Sequence, residues 1–136
     1  MKHKTRSSCP ICFSLELFGD KWSLLILRDI ILFDKKHYHE FMDSSEGIST
    51  NILADRLQKL ECAGLIKKKQ NEENQKKFIY APTDEALDLL PLLIEMTLWG
   101  VKHNPEIDAS QAPPEFIKKM IKDRKRFIKN IRIKFK

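Results

Sequence analysis

Residues 47–65 read GISTNILADRLQKLECAGL, and the fold follows from how this stretch is parsed. Ser49 is a helix N-cap residue, since its hydroxyl can accept from an otherwise unpaired backbone N–H of the first turn. Behind it Ile52, Leu53, Leu57 and Leu60 recur at the spacing of one face of a 3.6-residue period. Gly64 closes the segment where a helix C-terminus favours glycine. The stretch therefore predicts a helix over about 49–63. Its leucines look inward, and Ser49, Thr50, Asn51, Asp55, Gln58 and Lys59 look outward.

Working outward, the preceding residues 37–43, HYHEFMD, read as a short helix with Tyr38, Phe41 and Met42 on one side. Residues 21–33, KWSLLILRDIILF, read as an apolar helix whose face is Leu24, Leu25, Leu27, Arg28, Ile31 and Leu32. Residues 9–18 form a further short helix with Pro10 in its first turn. Downstream, two short apolar segments flank a polar turn over 67–80, a β-hairpin with Lys67, Lys68, Lys69, Lys76 and Lys77 on its shoulders. Thr83 caps another helix running to about Lys102, which Pro91 should kink or split. The domains expected are 1–104, a linker over 105–114, and a basic amphipathic helix over 115–136. Helix, turn, capped helix and basic hairpin is the order of a winged helix-turn-helix, so the fold class is mainly α with a small β-hairpin wing. In such a unit the outward helix face enters the major groove. Asn51 suits bidentate pairing with adenine, and Ser49 and Thr50 suit phosphates. Arg56 has two open roles, a phosphate contact or a brace against a carboxylate. The hairpin lysines can follow a phosphate track.

Composition limits the alternatives. The chain has 136 residues with 25 Lys and Arg against 19 Asp and Glu, a net charge of +6. Residues 115–136 hold ten basic and two acidic residues, a net of +8, which leaves the rest at −2. The basic pI thus says little about residues 1–114, and any nucleic-acid reading there rests on local arrangement. No apolar stretch approaches the roughly 20 residues of a membrane span, and no secretory-type apolar block follows the N-terminus, so a cytoplasmic location is expected. No phosphate-binding glycine loop and no nucleophile–base–acid set at suggestive spacing occurs, which argues against an enzyme and against a cofactor.

The stretches CPICFSLELFGDKWSLLILRDI, HYHEF, GISTNILADRLQKLECAGLI and YAPTDEALDLLPLL, followed by WG, resemble the HxlR family of bacterial winged-helix transcriptional regulators, relatives of the MarR group. The resemblance covers roughly residues 9–100 and is carried by Cys9-Pro10, Gly19-Asp20-Lys21-Trp22, Gly47-Ile48-Ser49, Arg56-Leu57, Ala63-Gly64-Leu65 and Trp99-Gly100. It implies a homodimeric DNA-binding regulator with a recognition helix from Ser49, a wing over 67–80, and a dimer interface built from the first helix and the helix after Thr83. On that reading Phe13, Leu17, Leu87, Leu90, Leu93, Ile94 and Leu98 are interface candidates. The basic tail departs from the family's usual short ending; its own amphipathic pattern suits packing on a second copy through Phe116 and Met120, with flanking phosphate contacts second and a membrane surface the remaining alternative. The chain departs from the family before Phe41, where Lys36 and His37 stand in place of an Arg-rich segment. It departs again in the turn 43–47, which has no basic residue.

Cys9 and Cys12 form a Cys-x-x-Cys at a helix start, a position that lowers thiol pKa and suits redox sensing; a buried packing pair is the plainer alternative. No second ligand pair supports zinc, and His37 and His39, two apart, should point to different helix faces, so no metal is expected. Trp22, Trp99, Phe18 and Tyr38 are candidates for a small-molecule pocket or for ordinary core. The expected partners are double-stranded DNA, a second copy and an unidentified effector, but no membrane. The competing function is a non-catalytic dimeric winged-helix adapter for other proteins, with its lysines merely solvated.

Overall fold

The computed structural model describes residues 6–74 and 77–136. Among the described residues eight helices and one hairpin follow in the order α1 (Pro10–Phe18), α2 (Lys21–Ile31), α3 (Tyr38–Met42), α4 (Thr50–Cys62), β1 (Ile66–Gln70), β2 (Phe78–Pro82), α5 (Asp84–Leu87), α6 (Leu90–His103), α7 (Pro114–Lys122) and α8 (Arg124–Lys134). They fall into two compact units, one ending at Ala86 and one spanning Leu87–Lys136. Within the second unit α6 is ion-paired to α8 through Arg124–Glu95, and Arg132–Asp88 joins α8 to the residues just ahead of α6.

In the first unit the core is the inward side of α2 and α4. The expected α2 face is corrected by one position: Ser23, Ile26, Leu27, Ile30 and Ile31 are buried, whereas Leu24 and Leu25 are only half-buried. The buried set is the true i, i+3, i+4, i+7, i+8 stripe, and the adjacent leucines at 24 and 25 masked it. On α4, Leu53, Leu57 and Leu60 are buried. Asp20 caps α2 by accepting from the Ser23 N–H at 3.1 Å and the Ser23 hydroxyl at 2.6 Å. Gly64 ends α4 with φ +77°, the left-handed conformation that favours glycine, and lets the Leu65 N–H reach back to the Leu60 carbonyl at 2.9 Å.

Gly19, between α1 and α2, is required for a different reason. A Cβ there would stand 2.6 Å from the Leu15 carbonyl oxygen and 2.7 Å from the Leu15 Cα, and neither backbone atom can swing away. Gly19→Ala is therefore expected to lower the unfolding free energy by about 1–3 kcal/mol, the usual range for overpacking, read as a reduced urea midpoint with unchanged m-value.

The hairpin is antiparallel with Ile66 opposite Pro82, Lys68 opposite Tyr80 and Gln70 opposite Phe78. The free edge of β2 is partly covered, since the Tyr80 N–H donates to the Lys36 carbonyl at 2.8 Å and so ties the α2–α3 loop to the wing.

In the second unit Pro91 does split the helix after Thr83, lying in the first turn of α6 where its missing N–H is harmless. The tail is two helices, not the single one expected over 115–136. Asp123, at φ −150° and ψ 82°, breaks the run, and its carboxylate accepts from the Arg126 N–H at 3.2 Å to start α8. Phe116 and Phe127 meet edge-on across the two helices, with ring centroids 5.3 Å apart. No helix among the described residues is long and apolar enough to cross a membrane.

Candidate nucleic-acid interface

The start of α4 is built to present side chains outward. Ser49 is extended, at φ −78° and ψ 158°, and its hydroxyl oxygen caps the helix by accepting from the Ile52 N–H at 3.3 Å. Thr50, Asn51, Asp55, Gln58 and Lys59 are all exposed. Among the described residues the side chains of Thr50, Asn51 and Gln58 carry no hydrogen bond, which leaves their polar atoms for an external partner. The structure fixes this helix end from α3, where the exposed Tyr38 hydroxyl donates to the Thr50 carbonyl at 3.1 Å.

Arg56 takes the bracing role. Its Nε donates to Asp20 Oδ2 at 2.8 Å, and its Nη1 pairs with Asp55. Asp20 thus caps α2 and anchors α4 together. Burial raises the Asp20 pKa, but the hydrogen bonds from Ser23 and Arg56 outweigh it and the net shift is downward. Asp55 also attracts Lys59, 3.5 Å away. Two of the cations on α4 are therefore partly neutralised from within the protein.

Ahead of α4, Glu40 Oε1 accepts from the Lys36 N–H at 3.1 Å, the His37 N–H at 3.0 Å and lies 2.7 Å from His37 Nδ1. His37 is thereby engaged as a capping residue, and Lys36 keeps an exposed side chain. The expectation that His37 and His39 diverge is overturned: their rings stack at 5.6 Å with planes 17° apart. His37 precedes the helix in extended conformation, so helical spacing does not apply to the pair. Among the described residues no group of three or more His, Cys, Asp or Glu is placed to hold a metal ion.

The wing lysines do not share one face. Pleating puts Lys68 on the side of Ile66 and Tyr80, and Lys67 and Lys69 on the other. Lys68 Nζ lies 4.2 Å from the Phe78 ring centroid and borders a groove of about 320 Å³ with Tyr38, Ala54, Gln58, Glu61 and Tyr80. This groove joins the outward side of α4 to the wing. Lys77 is exposed beside β2, and Lys76 lies outside the described residues. Tyr38, which sequence reasoning offered for a pocket or ordinary core, instead lies exposed at the start of α3 and lines this groove with Gln58 and Lys68, a placement across twelve residues of chain that no local pattern signals.

Of the candidates for contact with a second copy, Leu87, Leu90, Leu93, Ile94 and Met120 are already buried in the single chain, and Leu17, Leu98 and Phe116 are half-buried. These buried residues seat their helices and offer no surface. The exposed apolar side chains of α6 are instead Leu92, Met96 and Trp99, at i, i+4 and i+7. On α1 they are Ile11, Phe13 and Leu15. Cys9 is exposed at the N-cap of α1, Cys12 is half-buried, and both are free thiols, as is the exposed Cys62.

The sequence profile described as HxlR-like helix-turn-helix matches residues 17–108. An uncharacterised HTH-type transcriptional regulator of Halalkalibacterium halodurans, BH0655, is 32% identical over 102 residues, covering 75% of this chain and 90% of the relative. The crystal structure of PA1607 superposes with a TM-score of 0.68 at 33% identity, over 76% of this chain and 72% of that one. The redox regulator HypR in its oxidised form superposes with a TM-score of 0.62 at 27% identity, over 73% of this chain and all of that one (100%).

Proposed function

The chain belongs to the HxlR-like helix-turn-helix family, a group of non-catalytic DNA-binding transcription regulators akin to MarR proteins, and from that premise we propose that it acts as a homodimer on a pseudo-palindromic operator. Two α4 helices enter successive major grooves about 34–36 Å apart. Thr50, Asn51 and Gln58 read the site, and Lys68 with Tyr38 holds the flanking backbone. The observation that carries this reading is the row of outward polar side chains on α4 without internal partners, in a helix whose cationic neighbours are tied to carboxylates. Selectivity then rests on hydrogen-bonding edges more than on bulk charge. The free thiols Cys9 and Cys12 at the start of α1, with the likeness to a redox regulator, support a thiol-dependent response.

Selection of bound duplexes from a random pool tests the proposal, run with and without a thiol oxidant. Wild type should enrich a two-fold symmetric motif, and Asn51→Ala should lose preference at one position per half-site, equivalent to about 1–3 kcal/mol of discrimination. Enrichment of no motif by wild type would sink the reading.

The wing makes a separate prediction. Lys68→Ala should weaken binding to all duplexes and reduce the slope of log K against log salt by about 0.9 per protomer. Lys67→Ala, on the opposite face, should leave that slope unchanged. Fluorescence anisotropy across a salt series distinguishes the two.

A further inference from the structure

The two tail helices lie beyond the residues 17–108 that the family profile matches, so their chemistry has to be read from the structure itself. Residues 115–136 carry ten cations and two acidic residues. Among the described residues only two of those cations find a carboxylate, Arg124 on Glu95 and Arg132 on Asp88. Among the described residues no carboxylate stands within ion-pair distance of the other eight.

The arrangement is also local. Lys119, Lys122, Arg126 and Asn130 follow one another at i, i+3, i+7 and i+11, and together with Asp123 and Phe127 they line a concavity of about 440 Å³. Phe127 is its buried apolar floor. Asp123 is its one carboxylate and is engaged by the Arg126 N–H. Three cations and a carboxamide thus converge on a surface whose single carboxylate leaves a net positive charge of two.

We propose that this stripe on α7 and α8 is a second duplex-binding surface, which holds the phosphate backbone through Lys119, Lys122 and Arg126 and adds sequence-independent affinity to that of α4 and the wing. The inference rests on the DNA-binding reading above. Three observations favour a nucleic-acid backbone over other occupants. The rest of the chain has a net charge of −2, and the cations of α4 are paired internally, so the phosphate attraction such a protein needs is concentrated in the tail. A second copy meeting this stripe would set like charges against each other. A membrane surface calls for a continuous exposed apolar face beside the basic one, whereas Met120, Phe127 and Ile131 are buried, and the exposed large apolar side chains of α7 and α8, Ile121 and Ile133, stand twelve residues apart on different helices.

The test uses the full chain with Lys119→Gln, Lys122→Gln and Arg126→Gln combined, and a companion carrying Lys119→Arg and Lys122→Arg. The probe is a 40-base-pair duplex of random sequence, titrated by anisotropy at several salt concentrations. The triple variant should lose up to about 2.7 from the salt slope per protomer, about 0.9 for each phosphate contact. The arginine companion should keep the wild-type slope, and the thermal midpoints of all three should agree. A triple variant with the wild-type slope overturns the inference while leaving the operator reading intact. Failure of the wild type to bind any duplex at low salt overturns both. If the triple variant instead loses binding to phosphatidylglycerol vesicles while its duplex slope stays unchanged, the stripe serves a membrane and the inference is also overturned.

Discussion

A variant carrying Met96→Glu and Trp99→Glu is expected to sediment as a monomer and to bind the selected operator about 10²–10⁴-fold more weakly, the loss that follows when two linked half-site interactions become one. Leu92, Met96 and Trp99 are 39%, 47% and 67% exposed and form a single stripe on α6. The opposite side of the same helix, Leu90, Leu93 and Ile94, is buried. Replacing the outer stripe therefore leaves the helix seated, and the thermal midpoint should change little. Large exposed apolar side chains in a contiguous row are the usual mark of a protein–protein surface, and charge placed at its centre is unfavourable once water is excluded. Affinity for random duplex should fall far less than affinity for the operator, because each protomer keeps its own phosphate contacts. Retention of the dimer would move the interface away from α6, with the exposed Ile11, Phe13 and Leu15 of α1 as the remaining apolar surface.

That stripe also shows where sequence reading stops. That the helix after Thr83 offers candidates for contact with a second copy was legible from the resemblance. Which of the two rows faces inward was not, because periodicity alone is blind to what packs against a helix, and the leucine-rich row at 90, 93 and 94 was assigned to the partner. On α4 the opposite held. There the inward row is apolar and the outward row polar, so one pattern identified both the core and the solvent-facing row. The wing illustrates a third case. Five lysines in a short hairpin look like one patch, yet a two-residue period must divide them between faces, and only the register of Lys68 against Tyr80 shows which of them meets α4. The role of Arg56 depended on Asp20, 36 residues away, a distance no local pattern spans.

The least legible feature was the pair Arg28-Asp29, of which the helical pattern marked only Arg28, as part of the apolar face of α2, and which proves to be a lock on the helix-turn-helix. Asp29 is only 2% exposed. Its Oδ1 accepts from Arg28 Nε and Nη2 at 3.0 and 2.7 Å, and its Oδ2 accepts from the Ser44 hydroxyl at 2.6 Å. Lys35 Nζ donates to Ser44 at 2.9 Å and stands 3.4 Å from Asp29. Arg28 also grips Glu46 bidentately at 2.8 and 2.9 Å. Lys35 precedes α3 while Ser44 and Glu46 follow it, so the network clamps both ends of α3, and α3 in turn holds the start of α4 through Tyr38. Arg28→Met keeps much of the side-chain bulk but leaves a buried carboxylate short of its main partner, and it is expected to lower the unfolding free energy by about 3–5 kcal/mol. Chemical denaturation at pH 7 reads that loss. Acid supplies an independent check. The hydrogen bonds from Arg28 hold the Glu46 carboxyl at about 2, against an ordinary 4.5. A depressed carboxylate stabilises the fold fully above its unfolded value and loses that contribution as pH falls toward the folded one. Wild type should therefore lose about 1–2 kcal/mol from this group between pH 5 and pH 2.5, a figure reduced for the partial exposure of Glu46. In Arg28→Met that acid-dependent part should be absent, so the two stability curves converge as the pH drops. Parallel curves would mean that Arg28 supports the fold through its packing, and that the angle of α3 against α2 is set by the apolar contacts of Phe41 instead.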